Sequence, residues 1–275
     1  MTQQRECRRL TRQLAGLGLA PGDIVLVHCS LRRVAPRTRC AYTVARALLD
    51  QVGSTGTVVV PTQTAWNSTT SRVHRQAVAG LDAEQVKAYR AGLPAFDPRT
   101  TPSSGMGALA ECVRTMPGAC RSTHPQTSLA AVGPRARQLM AVHKLECHLG
   151  WDSPLGALHE ADAKVLLLGV GYDACTAFHL AEYAPQLARP RRAYQCRIAD
   201  WPGDGWTAFE GVDLDDSRFG RLGRGFEAET GAVRTGPVGA ARARLFGVRA
   251  AYDFALRWWE GHASGFAPAA VKSEL

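Results

Sequence analysis

Residues 165–182 read Val165-Leu166-Leu167-Leu168-Gly169-Val170-Gly171-Tyr172-Asp173-Ala174-Cys175-Thr176-Ala177-Phe178-His179-Leu180-Ala181-Glu182. The run Val165 to Leu168 is short and wholly apolar, which is how a strand buried on both faces reads. Glycines then break it, and a stretch with helical spacing follows. The same alternation recurs upstream. Gln4 to Leu17 has helical periodicity, Ala20-Pro21-Gly22-Asp23 breaks the chain, and Ile24 to Val27 is another buried strand. Thr43 to Val52 predicts a helix, Gly53-Ser54-Thr55-Gly56 a turn, and Thr57 to Val60 and Leu129 to Val132 further strands. Strands alternating with helices predict an α/β protein, layered α/β/α around one sheet. After Tyr183 the pattern weakens. Residues 189–225, rich in Arg, Asp, Trp and Gly, read as a smaller subdomain or a substrate-facing excursion from a single domain spanning 1–275. Gly239 to Glu260 reads as one helix ending in Trp258-Trp259.

Composition narrows the function classes. Of 275 residues, 45% are hydrophobic and 21% charged, which excludes wholesale disorder and fibrous repeats. No apolar run approaches the roughly 20 residues of a membrane-spanning helix, and Met1 to Glu6 lacks an apolar leader. A soluble, cytoplasmic protein without a membrane partner is expected. Lys and Arg number 33 against 24 Asp and Glu, a formal charge of +9. Only Lys87, Lys144, Lys164 and Lys272 are lysines. An arginine skew with abundant Ala and Gly resembles the coding bias of a G+C-rich genome more than selection for nucleic acid. Arg189, Arg191, Arg192 and Arg197 form the densest group, and no RRM, zinc-finger or basic-zipper signature accompanies them. A polyanionic small molecule fits this charge better than nucleic acid. The eight cysteines include no C-x-x-C pair and read as reduced thiols. Cys147-His148 is the nearest approach to a metal pattern, and adjacent side chains rarely chelate one ion, so no metal is expected.

In open α/β sheets ligands gather beyond the carboxyl ends of the strands. The residues there are polar: His28-Cys29-Ser30, Thr62-Gln63-Thr64 and Gly171-Tyr172-Asp173. Gly169 to Ala174 fits G-x-G-x-x-A, but position 189 is Arg where a ribose-binding acid is needed, so a tight strand-to-helix turn is the better reading. Ser103 to Ala110 opens a helix expected over Ala108 to Met116. Its glycines and serines suit either a phosphate at the helix start or an ordinary capped helix. His124 lies in a polar loop before a strand, as a site residue or a surface one. On a helix, His179 and Glu182 share a face at i,i+3 spacing, and a carboxylate there would fix the imidazole tautomer that a general base needs. Neither a P-loop nor a G-x-S-x-G elbow is present.

Taken in order, the segments Val27 to Leu31, Gly53 to Pro61, Phe96 to Gly107, Arg121 to Gly133, Trp151 to Leu155 and Val165 to Glu182 resemble the aminoglycoside 3-N-acetyltransferase family. The resemblance covers roughly residues 5–260. It implies transfer of an acetyl group from acetyl-CoA to the 3-amino group of a 2-deoxystreptamine antibiotic, on the family's own layered sheet and not the GNAT fold. Residue by residue, it implies that Ser30, Leu31, Ser104, Gly105, Met106 and Gly107 hold coenzyme A, with His124 and Thr176 near its pantetheine arm. His179 would be the catalytic base. The developing oxyanion needs N–H or hydroxyl donors, for which Thr176 and the backbone after Val165 to Leu168 are candidates.

A polycationic substrate needs carboxylates. Glu210 to Asp216 is the acidic stretch, from which Glu210 and Asp213 are expected at the drug or at His179, with Glu182 the alternative orienting partner. Two departures from the family matter. Cys29 stands where Ser is usual. Thr64-Ala65-Trp66-Asn67 stands where many relatives carry an Asp, leaving Asn67 as the candidate there. A same-fold acyltransferase acting on a non-antibiotic amine is the competing reading, and a homodimer is among the assemblies left open.

Overall fold

In the computed structural model, which describes residues 3–199, 202 and 205–262, helix α1 (Gln3–Leu17) leads into strand β1 (Ile24–Cys29). Helices α2 (Leu31–Val34) and α3 (Ala41–Val52) then precede β2 (Thr57–Pro61). A long excursion carries α4 (Arg72–Ala77), α5 (Ala83–Gly92) and α6 (Ala108–Arg114) before β3 (Cys120–Arg121) and β4 (Leu129–Val132). Next come α7 (Ala136–Leu139), α8 (Pro154–Glu160) and β5 (Lys164–Leu168). After 3₁₀ turns at Tyr172–Ala174 and Thr176–Tyr183, the chain forms β6 (Arg191–Arg197), β7 (Trp206–Val212), α9 (Phe219–Thr230), β8 (Arg234–Val238), β9 (Ala241–Gly247) and α10 (Val248–Gly261).

Seven strands form one sheet in the order β3-β4-β2-β1-β5-β9-β8. β1 is parallel to β2 and to β5, and every other pairing is antiparallel. The period-2 alternation of the strands splits the core in two. Val25, Val27, Val58, Val60, Leu166 and Leu168 face α1, α3 and α6, where Leu10, Leu14 and Leu17 supply the apolar stripe of α1. Leu26, Val59, Val165 and Leu167 face the opposite way, toward α8, α9, α10 and the 3₁₀ turns. The α/β/α layering expected from the sequence is what the chain adopts.

The topology also makes a crevice. After β1 the chain leaves for the first face, through α3; after the neighbouring β5 it leaves for the second, through Thr176–Tyr183. Two adjacent parallel strands whose continuations diverge leave a gap at their carboxyl ends. Among the described residues, no helix is long and apolar enough to cross a membrane.

The C-terminal third differs from expectation. Gly239 to Glu260 is not one helix: Ala241–Gly247 is β9, paired with β5, and α10 starts only at Val248. Buried Ala243 and Leu245 alternating with Arg242 and Arg244 is a period-2 signal, masked by residues with good helix propensity. Residues 189–225 hold the β6–β7 hairpin and the beginning of α9, with Tyr194, Cys196 and Phe209 as a small cluster of their own. All eight cysteines are unpaired.

Gly239, at the β8–β9 turn, has φ +66°, and a Cβ there would lie 2.1 Å from the carbonyl oxygen of Val34. Gly239→Ala therefore combines left-handed strain with a backbone clash. It is expected to lower stability by about 2 kcal/mol, roughly 5 °C in Tm, read by thermal denaturation; an unchanged Tm would show that the turn is not pressed onto α2.

Candidate active site

The stretch Thr176–Tyr183 is 3₁₀, not α-helical. With three residues per turn, positions i and i+3 eclipse. Thr176, His179 and Glu182 thus form one row, and the i,i+3 pair read from the sequence becomes a direct contact. His179 Nδ1 donates to Glu182 Oε2 at 2.6 Å. Glu182 is fully buried and saturated, its Oε1 accepting from Arg189 Nη2 at 2.7 Å and from the Asp215 backbone N–H at 3.1 Å. Arg189, whose side chain is 4% exposed, lies over the Trp259 ring at 5.2 Å. The His179 ring also packs on Phe219, centroids 4.6 Å apart. Nδ1 is committed as a donor, so the other nitrogen, Nε2, carries the free lone pair. That is the tautomer a general base requires.

His179 lines a cavity of about 240 Å³ in the crevice between β1 and β5, together with His28, Cys29, Thr176, Asp173 and Asp216. Burial pushes the Cys29 thiol up to about 12, so it stays protonated. Gly105 and Met106, from the loop Ser103–Gly107, also line the cavity. Gly105 and Gly107 sit at φ +76° and +84°. Gly107 comes close enough that a Cβ would touch the Cys29 carbonyl at 3.5 Å. The loop is pinned behind by Glu111, which accepts from the Ser103 N–H at 3.0 Å and hydroxyl at 2.8 Å; Arg114 and Ser103 hold Glu111 down to about 2.

Continuous with this cavity through Cys29, Gly105 and Met106 is a more open concavity of about 530 Å³, lined also by Ser30, Leu31 and Gly107. Arg32 and Arg39 stand on its rim. The molecule thus offers a basic trough that adjoins a small pocket lined by His179, with its partner carboxylate Glu182 buried behind.

The sequence profile of the aminoglycoside 3-N-acetyltransferase family matches residues 26–260. The chain belongs to the aminoglycoside 3-N-acetyltransferase family. It is 34% identical over 270 residues to the SPbeta prophage-derived aminoglycoside N(3')-acetyltransferase-like protein YokD of Bacillus subtilis (strain 168), covering 94% of this chain and 93% of that protein. The crystal structure of YokD superposes with a TM-score of 0.85 at 33% identity, with 94% of each chain covered. AAC-IIIb in binary complex with CoASH superposes at 0.79 (31% identity, 93% of this chain and 96% of that one). AAC-VIa bound to sisomicin superposes at 0.78 (32% identity, 93% and 97%).

On this member of the aminoglycoside 3-N-acetyltransferase family, most of the expected site residues converge. Ser30, Leu31, Gly105, Met106 and Gly107 share the trough, and Ser104 anchors the same loop through its N–H to Gln63 O at 2.8 Å. Thr176, His179 and Glu182 share the row beneath it.

Four residues are placed elsewhere. His124 is 1% exposed and does not reach the cavity. Its ring organises backbone, donating from Nε2 to Leu145 O and accepting at Nδ1 from the N–H groups of Gln126 and Thr127. Glu210 is exposed on the hairpin beside Arg191, and Asp213 pairs with Arg192 at 2.9 Å, so neither lines the cavity. Asn67 is buried, its amide spent on the backbone N–H and C=O of Arg197, both at 2.8 Å. It ties the hairpin down.

The cavity's own carboxylates, Asp173 and Asp216, are exposed at its edge and form no ion pair among the described residues. Asp173 lies in the polar run after a strand and Asp216 ends the acidic stretch, so both were within reach of the sequence signals. No group of three or more His, Cys, Asp or Glu among the described residues is arranged to hold a metal ion.

Proposed function

We infer that this protein transfers the acetyl group of acetyl-CoA to the 3-amino group of 2-deoxystreptamine aminoglycosides, which confers resistance on its host. The observation that carries the reading is the buried Glu182–His179 pair in a pocket continuous with a basic trough. Coenzyme A lies along the trough, its phosphates facing Arg32 and Arg39, both of which are exposed and without an anionic partner among the described residues. The thioester end enters the pocket past Gly105 and Met106.

The amine arrives from the side of Asp173 and Asp216, whose negative charge suits a polycation that the overall charge of +9 repels. Nε2 of His179 takes the proton that the attacking nitrogen must lose, and Glu182 and Arg189 hold the ring in place while it does so. Nothing in this sequence of events calls for a covalent enzyme intermediate.

The test is a thiol-release assay over a panel of aminoglycosides. Robust turnover is expected with 2-deoxystreptamine drugs bearing a free 3-amino group. Asp173→Asn and Asp216→Asn should each raise the KM for the drug about tenfold and leave the KM for acetyl-CoA unchanged. Turnover only with simple amines, or equal KM values in the variants, would point to a different amine substrate.

A further inference from the structure

The pocket is lined by an imidazole that no described residue engages by a hydrogen bond. His28 occupies the penultimate position of β1, in register with Leu167 of β5. By alternation its side chain points to the same face as Leu26. It is 6% exposed and lines the pocket with Thr176 and His179. Its Nε2 is buried without a hydrogen-bond partner, and no hydrogen bond reaches the ring from the described residues. Leaving such a group unpaired is destabilising, a cost that an apolar side chain at position 28 would avoid. His74 and His148 also bury unpartnered nitrogens, but neither lines this pocket. Burial holds His28 down to about 4, so at neutral pH the ring is uncharged, with one N–H to donate. In the same pocket the Thr176 hydroxyl, in a residue 7% exposed, likewise has no hydrogen bond among the described residues.

We propose that His28 is a further catalytic residue, its N–H acting with the Thr176 hydroxyl as the donor pair for the acetyl carbonyl oxygen of acetyl-CoA. The proposal rests on reading the pocket as the site of acetyl transfer. As the neutral amine's lone pair forms the N–C bond, the carbonyl π pair moves onto oxygen, where His28 and Thr176 hold it. The pair returns as the C–S bond breaks and its electrons leave on sulfur. His179 takes the proton from nitrogen and gives it to that sulfur, so the products are the amide and CoASH.

Three arms test this. His28→Leu removes the donor and the orphan together, so Tm should stay the same or rise while kcat falls about 10²–10³-fold, with both KM values little changed. His28→Gln, which keeps an N–H donor, should recover at least about tenfold of that loss. In the unmodified protein, the ¹⁵N–¹H signals of the His28 ring should move on adding acetyl-CoA and not on adding CoASH. Near-normal kcat in His28→Leu, equal impairment in both variants, or a ring signal indifferent to the acetyl group would each overturn the proposal. Turnover by the unmodified protein checks the underlying reading separately, and the NMR arm needs no turnover.

Discussion

His179→Ala is expected to lower kcat by about 10³–10⁴-fold, the range lost when a positioned general base is removed, while the protein keeps its fold. The side chain is 12% exposed at the pocket edge and makes one side-chain hydrogen bond, to Glu182. Deleting it therefore removes the base together with one ring contact, with Phe219, at the pocket wall. Glu182→Gln should behave differently. A neutral amide no longer fixes the tautomer of His179, and it leaves the buried Arg189 without its carboxylate. Activity should fall comparably, and stability should drop by about 3–5 kcal/mol, the cost of breaking a buried ion pair from one side. Steady-state kinetics and urea denaturation on the two variants check this together. Turnover in His179→Ala close to the unmodified rate would remove the histidine from the mechanism. An undiminished urea midpoint in Glu182→Gln would show that Arg189 does not depend on the carboxylate.

The second large effect is acid lability. Four histidines are buried with no acid to pair with among the described residues: burial holds His28 and His143 down to about 4, His148 to about 3, and His124 well below its ordinary value. Three of them stack under the hairpin, His124 lying 4.7 Å from His143 and 4.6 Å from His148 between ring centroids. The unfolded chain takes up protons at these sites near pH 6.5, and the folded chain does not. Stability is therefore full above pH 6.5 and is lost as pH falls from 6.5 toward about 4. At pH 5 each such imidazole costs about 2 kcal/mol, so a few of them consume much of the roughly 5–15 kcal/mol that keeps a domain folded. The urea midpoint should fall steeply between pH 7 and pH 5, and His148→Phe should make that fall shallower. A midpoint that stays level over the range would mean that the cluster admits protons or water freely.

The central strands and the histidine–carboxylate pair were legible in the sequence for the same reason: both depend on short-range spacing. Buried runs such as Val165 to Leu168 can do little else than form inner strands, and i,i+3 spacing brings His179 and Glu182 together in α or 3₁₀ geometry alike. What was not legible depends on partners distant in sequence. The charges of Glu210 and Asp213 looked available until the hairpin set Arg191 and Arg192 beside them. Asn67 looked like a replacement for a substrate-binding acid, yet it meets Arg197 across 130 positions. The polar run His28-Cys29-Ser30 marked a strand end, but only the packed sheet shows that His28 Nε2 is buried with no hydrogen bond from the described residues. The carboxylates that line the cavity are Asp173 and Asp216, which the acidic look of the hairpin stretch Glu210 to Asp213 gave no reason to prefer.

The most direct test of the whole account is to incubate the protein with acetyl-CoA and a 2-deoxystreptamine aminoglycoside and locate the new amide by two-dimensional NMR of the product. A single acetyl group on the 3-amino nitrogen is expected. Acetylation at any other amine, or an unmodified drug, would contradict it.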